Sequence, residues 1–337
     1  MILAGDIGGT KCNLGAFVQD GATLRLVHQR RFASRDFAGV EQLIEEFRRE
    51  AADTIKSQAA GEIVAAGFGV PGTVVGGKRL SINLPWALDP SAVARSLKLE
   101  LSRIALLNDL VATAWGVEHL PAGDFLTLNA GVPQLNANKA VIAAGTGLGE
   151  AIIFWDGRGH RVSDSEGGMS DFAPRNEREI QLLLFLKTRT PHVSVEDVLA
   201  GRGFRAIHES LNPAVRHSTF DQRAEASAQQ ITDMALARSC EVCVETLDLW
   251  TEAYGAEAGN LALRALAYGG VYVAGGIVLK LLPKIKDGSF VRAFCEKAHV
   301  ADILARIPIS IVLNEDAPLW GAAYRALAAI SENPGSL

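Results

Sequence analysis

The sequence predicts an α/β protein made of two related halves. Three observations carry that reading. Strand-like apolar runs alternate with segments of helical period along the chain, as in α/β architectures. A strand, a glycine-rich turn holding a threonine and a second strand occur around Gly8-Gly9-Thr10, and again around Gly145-Thr146-Gly147-Leu148-Gly149. The chain has 337 residues, enough for two domains of about 150 residues each.

The first half opens on an apolar run, Ile2 to Ile7, that stops at Gly8-Gly9-Thr10. Cys12 to Phe17 and Leu24 to Phe32 continue as strands. From Gly39 to Ala51 the period changes, with Val40, Leu43, Ile44 and Phe47 on one helical face. Ile63 to Val70 reads as a strand turned by Pro71-Gly72, and Gly76-Gly77 reads as a hairpin tip. Pro90 opens a helix at a favoured first-turn position. Ile104 to Leu107 is a short strand ending in Asn108-Asp109, and Leu110 to Val117 is helical.

A second round starts with the strands Ala140 to Ala144 and Ala151 to Trp155, on either side of the second glycine turn. Asn176 to Tyr268 is mostly helical and rich in Ala and Leu. Val271 to Ala274 is a strand, Gly275-Gly276 a turn and Ile277 to Leu282 a helix. Ile309 to Leu313 is a late strand, with Pro308 just ahead of it where a missing ladder donor does little harm. Ala317 to Ile330 closes the pattern as a helix.

Composition excludes several classes of function. Hydrophobic residues make up 48% and charged residues 21%, which rules out a disordered chain or a fibre. The net charge is -5 and no long basic stretch occurs, so no nucleic-acid or lipid partner is expected. The N-terminal residues lack a basic region and meet Asp6 early, unlike a secretory signal. The charge-free stretch between Arg264 and Lys280 is shorter than a membrane span and is broken by glycines. Four cysteines are too few for a disulfide scaffold. A cytoplasmic protein is expected.

Several motifs carry chemistry, each beside a plainer reading. In Gly5-Asp6-Ile7-Gly8-Gly9-Thr10-Lys11, adjacent glycines let backbone N–H groups approach an anion, Thr10 adds a hydroxyl and Lys11 a charge. Asp6 at the strand end suits hydrated Mg²⁺. The plainer reading is a β-hairpin turn. Gly145 to Gly149 has Gly-x-Gly-x-Gly spacing followed by a strand, so the dinucleotide fingerprint fails and a phosphate-cradling hairpin fits better. Gly72 to Lys78 matches a P-loop only by chance, because Arg79 stands where Ser or Thr is required. Asp109 reads either as a helix cap or as a base for a substrate hydroxyl. Glu166 and Glu196 read as acceptors for sugar hydroxyls, or as a loop carboxylate and a capping-box acid. Cys240 and Cys243 form a Cys-x-x-Cys with no second pair, which argues against zinc and for two core side chains. The seven histidines show no ligand spacing with carboxylates or cysteines. Gly255-x3-Gly259 reads as close helix packing.

Taken together, the ordered set resembles the bacterial glucokinase family of the actin/hexokinase-like ATPase fold. The set is Gly5-Asp6-Ile7-Gly8-Gly9-Thr10, Leu107-Asn108-Asp109, Ala144 to Gly149, Glu166-Gly167-Gly168, Asp171-Phe172-Ala173-Pro174, His192 to Glu196 and Ala274 to Val278. The resemblance implies duplicated mixed-sheet cores flanking an interdomain cleft, with a smaller domain of residues 1–108 plus 315–337 and a larger one of 109–314. It implies phosphorylation of the glucose 6-hydroxyl with ATP and Mg²⁺, and a homodimer. Asp109 matches the base; Asn83, Asn108, Asp109, Glu166 and Glu196 match sugar contacts. Gly8, Gly9, Thr10 and Lys11 match one phosphate loop and Gly145, Thr146, Gly147 and Gly149 the other. Gly275 and Gly276 lie where the adenosine side belongs. One position departs: Met169 stands in the sugar-binding set where the family usually has His, and a thioether is a poor acceptor and no donor. A kinase for mannose, fructose or an amino sugar, or a weakly catalytic sugar-binding regulator, are the alternatives. The cysteine cluster and histidine of the related zinc-containing repressor–kinase family are not evident.

Overall fold

The computed structural model describes residues 1–21, 23–57, 61–75, 78–80, 86 and 88–332. Asn83 and Gly76-Gly77 lie outside the described residues. The chain divides into two compact units, Met1–Ala122 with Asp316–Leu337, and Gly123–Glu315.

The first unit holds β1 (Ile2–Ile7), β2 (Lys11–Asp20), β3 (Thr23–Ala33), β4 (Ala65–Val70), the short hairpin strands β5 (Thr73–Val75) and β6 (Lys78–Leu80), and β7 (Ile104–Asn108). The main sheet runs β3-β2-β1-β4-β7. β1, β2 and β3 form an antiparallel meander, while β1, β4 and β7 are parallel. Alternation sorts the side chains between two faces. Leu3, Ile7, Phe68 and Val70 join Leu43, Ile44 and Phe47 of helix Val40–Ser57 and Val93 of helix Pro90–Leu97. Ile2, Ala4 and Ala65 meet Leu319, Ala322 and Ala323 of helix Ala317–Glu332.

That C-terminal helix lies on the sheet with almost nothing between backbones. A Cβ at Gly67 would sit 2.1 Å from the Ala322 carbonyl oxygen. Helix Asp109–Val117 is held the same way: a Cβ at Gly321 would sit 1.7 Å from Ala112 O, and one at Gly116 2.1 Å from Ala317 O. These contacts tie Asp109–Val117 to the first unit. The expected boundary at 108/109 is therefore corrected to 122/123.

The second unit repeats the plan with β8 (Phe125–Asn129), β9 (Lys139–Ala144), β10 (Leu148–Trp155), β11 (His160–Ser165), β12 (Gly270–Ala274) and β13 (Ile309–Val312). Its sheet order is β11-β10-β9-β12-β13-β8. The meander β9, β10, β11 and the parallel set β9, β12, β13 mirror the first sheet, and β8 adds an antiparallel edge. β10 starts at Leu148, earlier than read, because Leu148 already pairs with Ala144 across the glycine turn.

Helix Glu241–Ala265 is buried along most of its length, with Trp250 and Tyr254 fully enclosed. The Tyr254 hydroxyl accepts from Ala144 N at 3.2 Å and donates to Ile142 O at 3.4 Å. Trp250 Nε1 donates to Leu199 O at 3.1 Å. Gly255 and Gly259 are close-packing positions, as their spacing predicts, since a Cβ at each would meet Phe290 O at 2.2 Å and Phe294 O at 2.5 Å.

The cysteine and histidine readings need correction. Cys243 is buried, but Cys240 is the N-cap residue of the helix, and both sulfurs face His217. His208 and His217 meet them because the chain leaves helix Gly201–Leu211 and returns through helix Ala224–Leu236 to the start of Glu241–Ala265. That proximity comes from tertiary packing, which spacing along the chain does not encode.

The glycine contacts generate a stability prediction. Gly321→Ala should force the two helices apart and cost at least about 2 kcal/mol, as overpacking does. Calorimetry should show the melting temperature falling by roughly 5 °C or more. An unchanged melting temperature would mean that the helices are not in backbone contact.

Candidate active site

In the first unit, three parallel strands deliver their ends to one edge of the sheet. Asp6 lies near the end of β1, Gly72 follows β4, and Asn108-Asp109 closes β7. The Asn108 side chain is the helix cap: its Oδ1 accepts from Leu110 N at 2.8 Å and Val111 N at 3.4 Å. Its Nδ2 donates to Gly72 O at 3.1 Å. Asp109 is thus the first helical residue and not the cap, with Oδ1 accepting from Leu110 N at 2.9 Å.

Asp6 is pushed up to about 7, first by burial and then by the charges of Asp109 and Asp316, with Arg31 opposing. Asp316 is a residue the sequence reading missed. It immediately precedes helix Ala317–Glu332, and its Oδ1 accepts from Asn13 Nδ2 and from Arg31 Nη2, both at 2.9 Å. An acid just before Ala317-Pro318 was the available signal, but it also reads as an ordinary helix-start residue. Asp6, Asp109 and Asp316 make a set of hard oxygen donors around a group that burial leaves easily protonated. Such a set fits a hydrated divalent cation.

Gly8 to Lys11 forms the tight β1–β2 turn, closed by Gly8 N donating to Lys11 O at 2.9 Å. A Cβ at Gly8 would sit 2.8 Å from that same oxygen. Buried Ser34 fastens the turn: its Oγ donates to Gly8 O at 2.6 Å and its N to Thr10 O at 3.0 Å. Gly9, Thr10 and Lys11 are exposed.

The second unit gathers the other candidates. Gly145 N donates to Gly147 O at 2.8 Å in the β9–β10 turn, leaving Thr146 exposed. Gly149 lies within β10, opposite Ala143. Gly275 follows the neighbouring parallel strand β12 with φ +97°, and a Cβ there would lie 2.6 Å from Ala144 O. Only glycine suits that conformation and that approach. Gly276 beside it is exposed.

Glu196 lies against the second glycine turn. Its Oε2 accepts from Leu148 N at 2.9 Å, and its Oε1 from Arg202 Nη2 at 2.9 Å. A Cβ at Gly147 would approach Oε2 to 2.7 Å. The capping box of helix Val195–Leu199 does exist, but its acid is Asp197, paired with Ser194, which leaves Glu196 outside it. Arg202, missed in the sequence reading, also binds Asp197 Oδ1 at 3.0 Å.

Glu166 is exposed and precedes the 3₁₀ turn Gly167–Met169, where Met169 N donates to Glu166 O at 2.9 Å. A Cβ at Gly168 would lie 2.2 Å from Leu148 O, so this turn also packs on the second glycine turn. Residues 170 to 172 pair with 193 to 195 through Phe172 N to Val193 O and Val195 N to Ser170 O, bringing the Glu166 and Glu196 segments together. Met169 is 49% exposed. The Ser170 hydroxyl already donates to Gly167 O at 2.6 Å.

The glucokinase family model matches residues 3–329. A glucokinase of Nostoc sp. is 37% identical over 346 aligned residues, covering 97% of this chain and 98% of its own. One from Aromatoleum aromaticum is 32% identical, covering 99% and 97%. Among solved structures, a glucokinase from an Antarctic psychrotroph superposes with a TM-score of 0.83 at 26% identity, covering 97% of this chain and 98% of its own. The two mixed sheets with flanking helices are those of the actin/hexokinase-like fold. With a match that spans both units and every motif described above, the chain belongs to the glucokinase family.

Proposed function

We propose that this protein transfers the terminal phosphoryl group of ATP to the 6-hydroxyl of glucose, with Asp109 as general base. The observation that carries the reading is the division of work at the end of β7. Asn108 does the capping, and Asp109 follows it as the first helical residue, placing a carboxylate at the carboxyl end of β7 close enough to Asp6 to raise its pKa. Phosphoryl transfer has a loose transition state, so a base of ordinary strength suffices when the hydroxyl is well positioned.

The remaining residues supply positioning and charge. The two glycine turns, Gly8 to Lys11 and Gly145 to Gly149, approach the phosphate oxygens, and the turn at Gly275-Gly276 lies on the adenosine side. Asn83, Asn108, Glu166 and Glu196 read the sugar hydroxyls. An ionised carboxylate offers only acceptors, so hydroxyl donors of the right stereochemistry are selected. Arg202 and Leu148 N hold Glu196 in place beforehand. Asp6, with Asp109 and Asp316 nearby, would hold Mg²⁺, which when bound neutralises phosphate charge. A kinase for another hexose is the second reading, favoured by Met169 alone. Asp109 and both glycine turns argue against a non-catalytic regulator.

A coupled assay over several hexoses with ATP tests the activity. Asp109→Ala should lower kcat by about 10² or more in a folded variant; near-normal turnover would remove Asp109 from the role of base.

Asp6 generates a pH prediction. Its folded pKa of about 7 lies above the ordinary 3.8, so the folded state binds the proton more tightly than the unfolded chain. Stability is then lost as pH rises from about 4 through about 7. Without Mg²⁺, Asp6→Asn should melt a few degrees above the parent at pH 8, with the gap closing toward pH 4. A gap that does not change with pH would refute the buried-acid account.

Met169→His should tighten glucose binding by a few-fold to about a hundredfold, the worth of one added hydrogen bond. Equal or weaker binding by calorimetry would mean that this sugar does not need the imidazole.

A further inference from the structure

We propose that His208, His217, Cys240 and Cys243 form a structural zinc site in the second unit, separate from the side chains given a role in phosphoryl transfer. One donor atom from each of the four side chains lies within 4.8 Å of all the others. His208 Nε2 and His217 Nε2 are 3.2 Å apart, Cys243 Sγ is 3.2 Å from His217 Nε2, and Cys240 Sγ is 3.9 Å from it. A tetrahedral ion with Zn–N of about 2.0–2.1 Å and Zn–S of about 2.3 Å has ligand–ligand edges of about 3.3–3.8 Å. The observed spacings bracket that range.

Hydrogen bonding alone does not account for the convergence. His217 Nε2 faces two sulfurs and one nitrogen, yet a neutral imidazole nitrogen carries at most one proton, and a thiol is a weak donor. Three electron-rich atoms around a fourth is an arrangement that a cation completes. Two soft thiolates with two imidazoles, all within 4.8 Å of one another, are a donor set that selects zinc among common metals. Charge supports it too. Two thiolates balance the dication, so a site whose His208 and Cys243 are fully enclosed would carry no net charge. Cys240 and Cys243 sit at the N-terminus of a 25-residue helix, whose dipole favours thiolates. Phe220 stands edge-on to both imidazoles, at 5.0 and 5.2 Å between ring centroids, and walls them off.

Four protein ligands leave no open position, which is the mark of a structural site. The ion would tie the end of helix Gly201–Leu211 and the connection after it to the start of the helix that carries Trp250 and Tyr254. His208 Nδ1 is buried with no partner among the described residues. The outer hydrogen bond that commonly sharpens zinc affinity is thus missing on that side, and a strong chelator should strip the ion.

The test uses the full chain without a histidine tag, purified reduced and without chelator. Elemental analysis should find about one zinc per chain, falling at least about fivefold in Cys243→Ser and in His217→Gln. The second variant changes a half-buried loop residue and guards against misfolding of the first. Cobalt added to the stripped parent protein should give the visible bands of tetrahedral thiolate-bound Co²⁺, and stripping should lower the melting temperature of the parent but not of His217→Gln. A folded, reduced parent protein with all four thiols titratable that holds no zinc and gives no cobalt spectrum would overturn the site. So would a Cys240–Cys243 disulfide in the freshly isolated protein, shown by only two titratable thiols.

Discussion

A strand cannot turn directly into a parallel neighbour; the chain must cross over and begin again at the same end of the sheet. β1, β4 and β7 are parallel, so their carboxyl ends share one edge, and so do those of β9, β12 and β13. In the first unit this brings Asp6 and Asp109 together from positions far apart in the chain. In the second it sets the turns at Gly145 and Gly275 side by side, because Ala274 pairs with Ala143. Loops at carboxyl ends are free of ladder duties, so their backbone N–H groups and side chains remain for ligands.

Rigidity behind each edge comes from a different source in each unit. The first relies on backbone contact of one helix with the sheet at Gly67 and of two helices with each other at Gly116 and Gly321, where no room is left for side chains. The second relies on two aromatic residues of one buried helix. Tyr254 satisfies Ala144 just before the glycine turn, and Trp250 satisfies Leu199 just after the segment bearing Glu196. Burial drives the Tyr254 phenol upward, so its hydroxyl stays a neutral donor and acceptor. A dry hydrogen bond of this kind costs more to break than to leave alone, which keeps both supports in one geometry.

Local signals made the parallel strands, the glycine turns and the Asn108-Asp109 motif legible in the sequence. Apolar runs of period two stop at Gly8 and Gly145 because turn chemistry is local, and Asn108-Asp109 stands out at a strand-to-helix switch. Edge strand His160–Ser165 escaped notice because it is polar and half-exposed, so it lacks the apolar period. Asp316 and Arg202 escaped because their roles depend on partners far away or on the other face of a turn. The domain boundary was misplaced because close packing at Gly321 involves residues about two hundred positions apart. The histidine–cysteine cluster was invisible for the same reason: nothing in the spacing of His208, His217 and Cys240 encodes their meeting.

The first unit is discontinuous in the chain, whereas the second runs unbroken from Gly123 to Glu315. On a ribosome, the second unit can therefore complete its core while the first still lacks the helix that covers one face of its sheet. Ile2, Ala4 and Ala65 wait without their partners until Leu319, Ala322 and Ala323 are made. Asp316 arrives with that same helix. Maturation of the acid cluster thus waits until the chain has been made past Asp316, and shorter nascent chains carry an incomplete set of carboxylates.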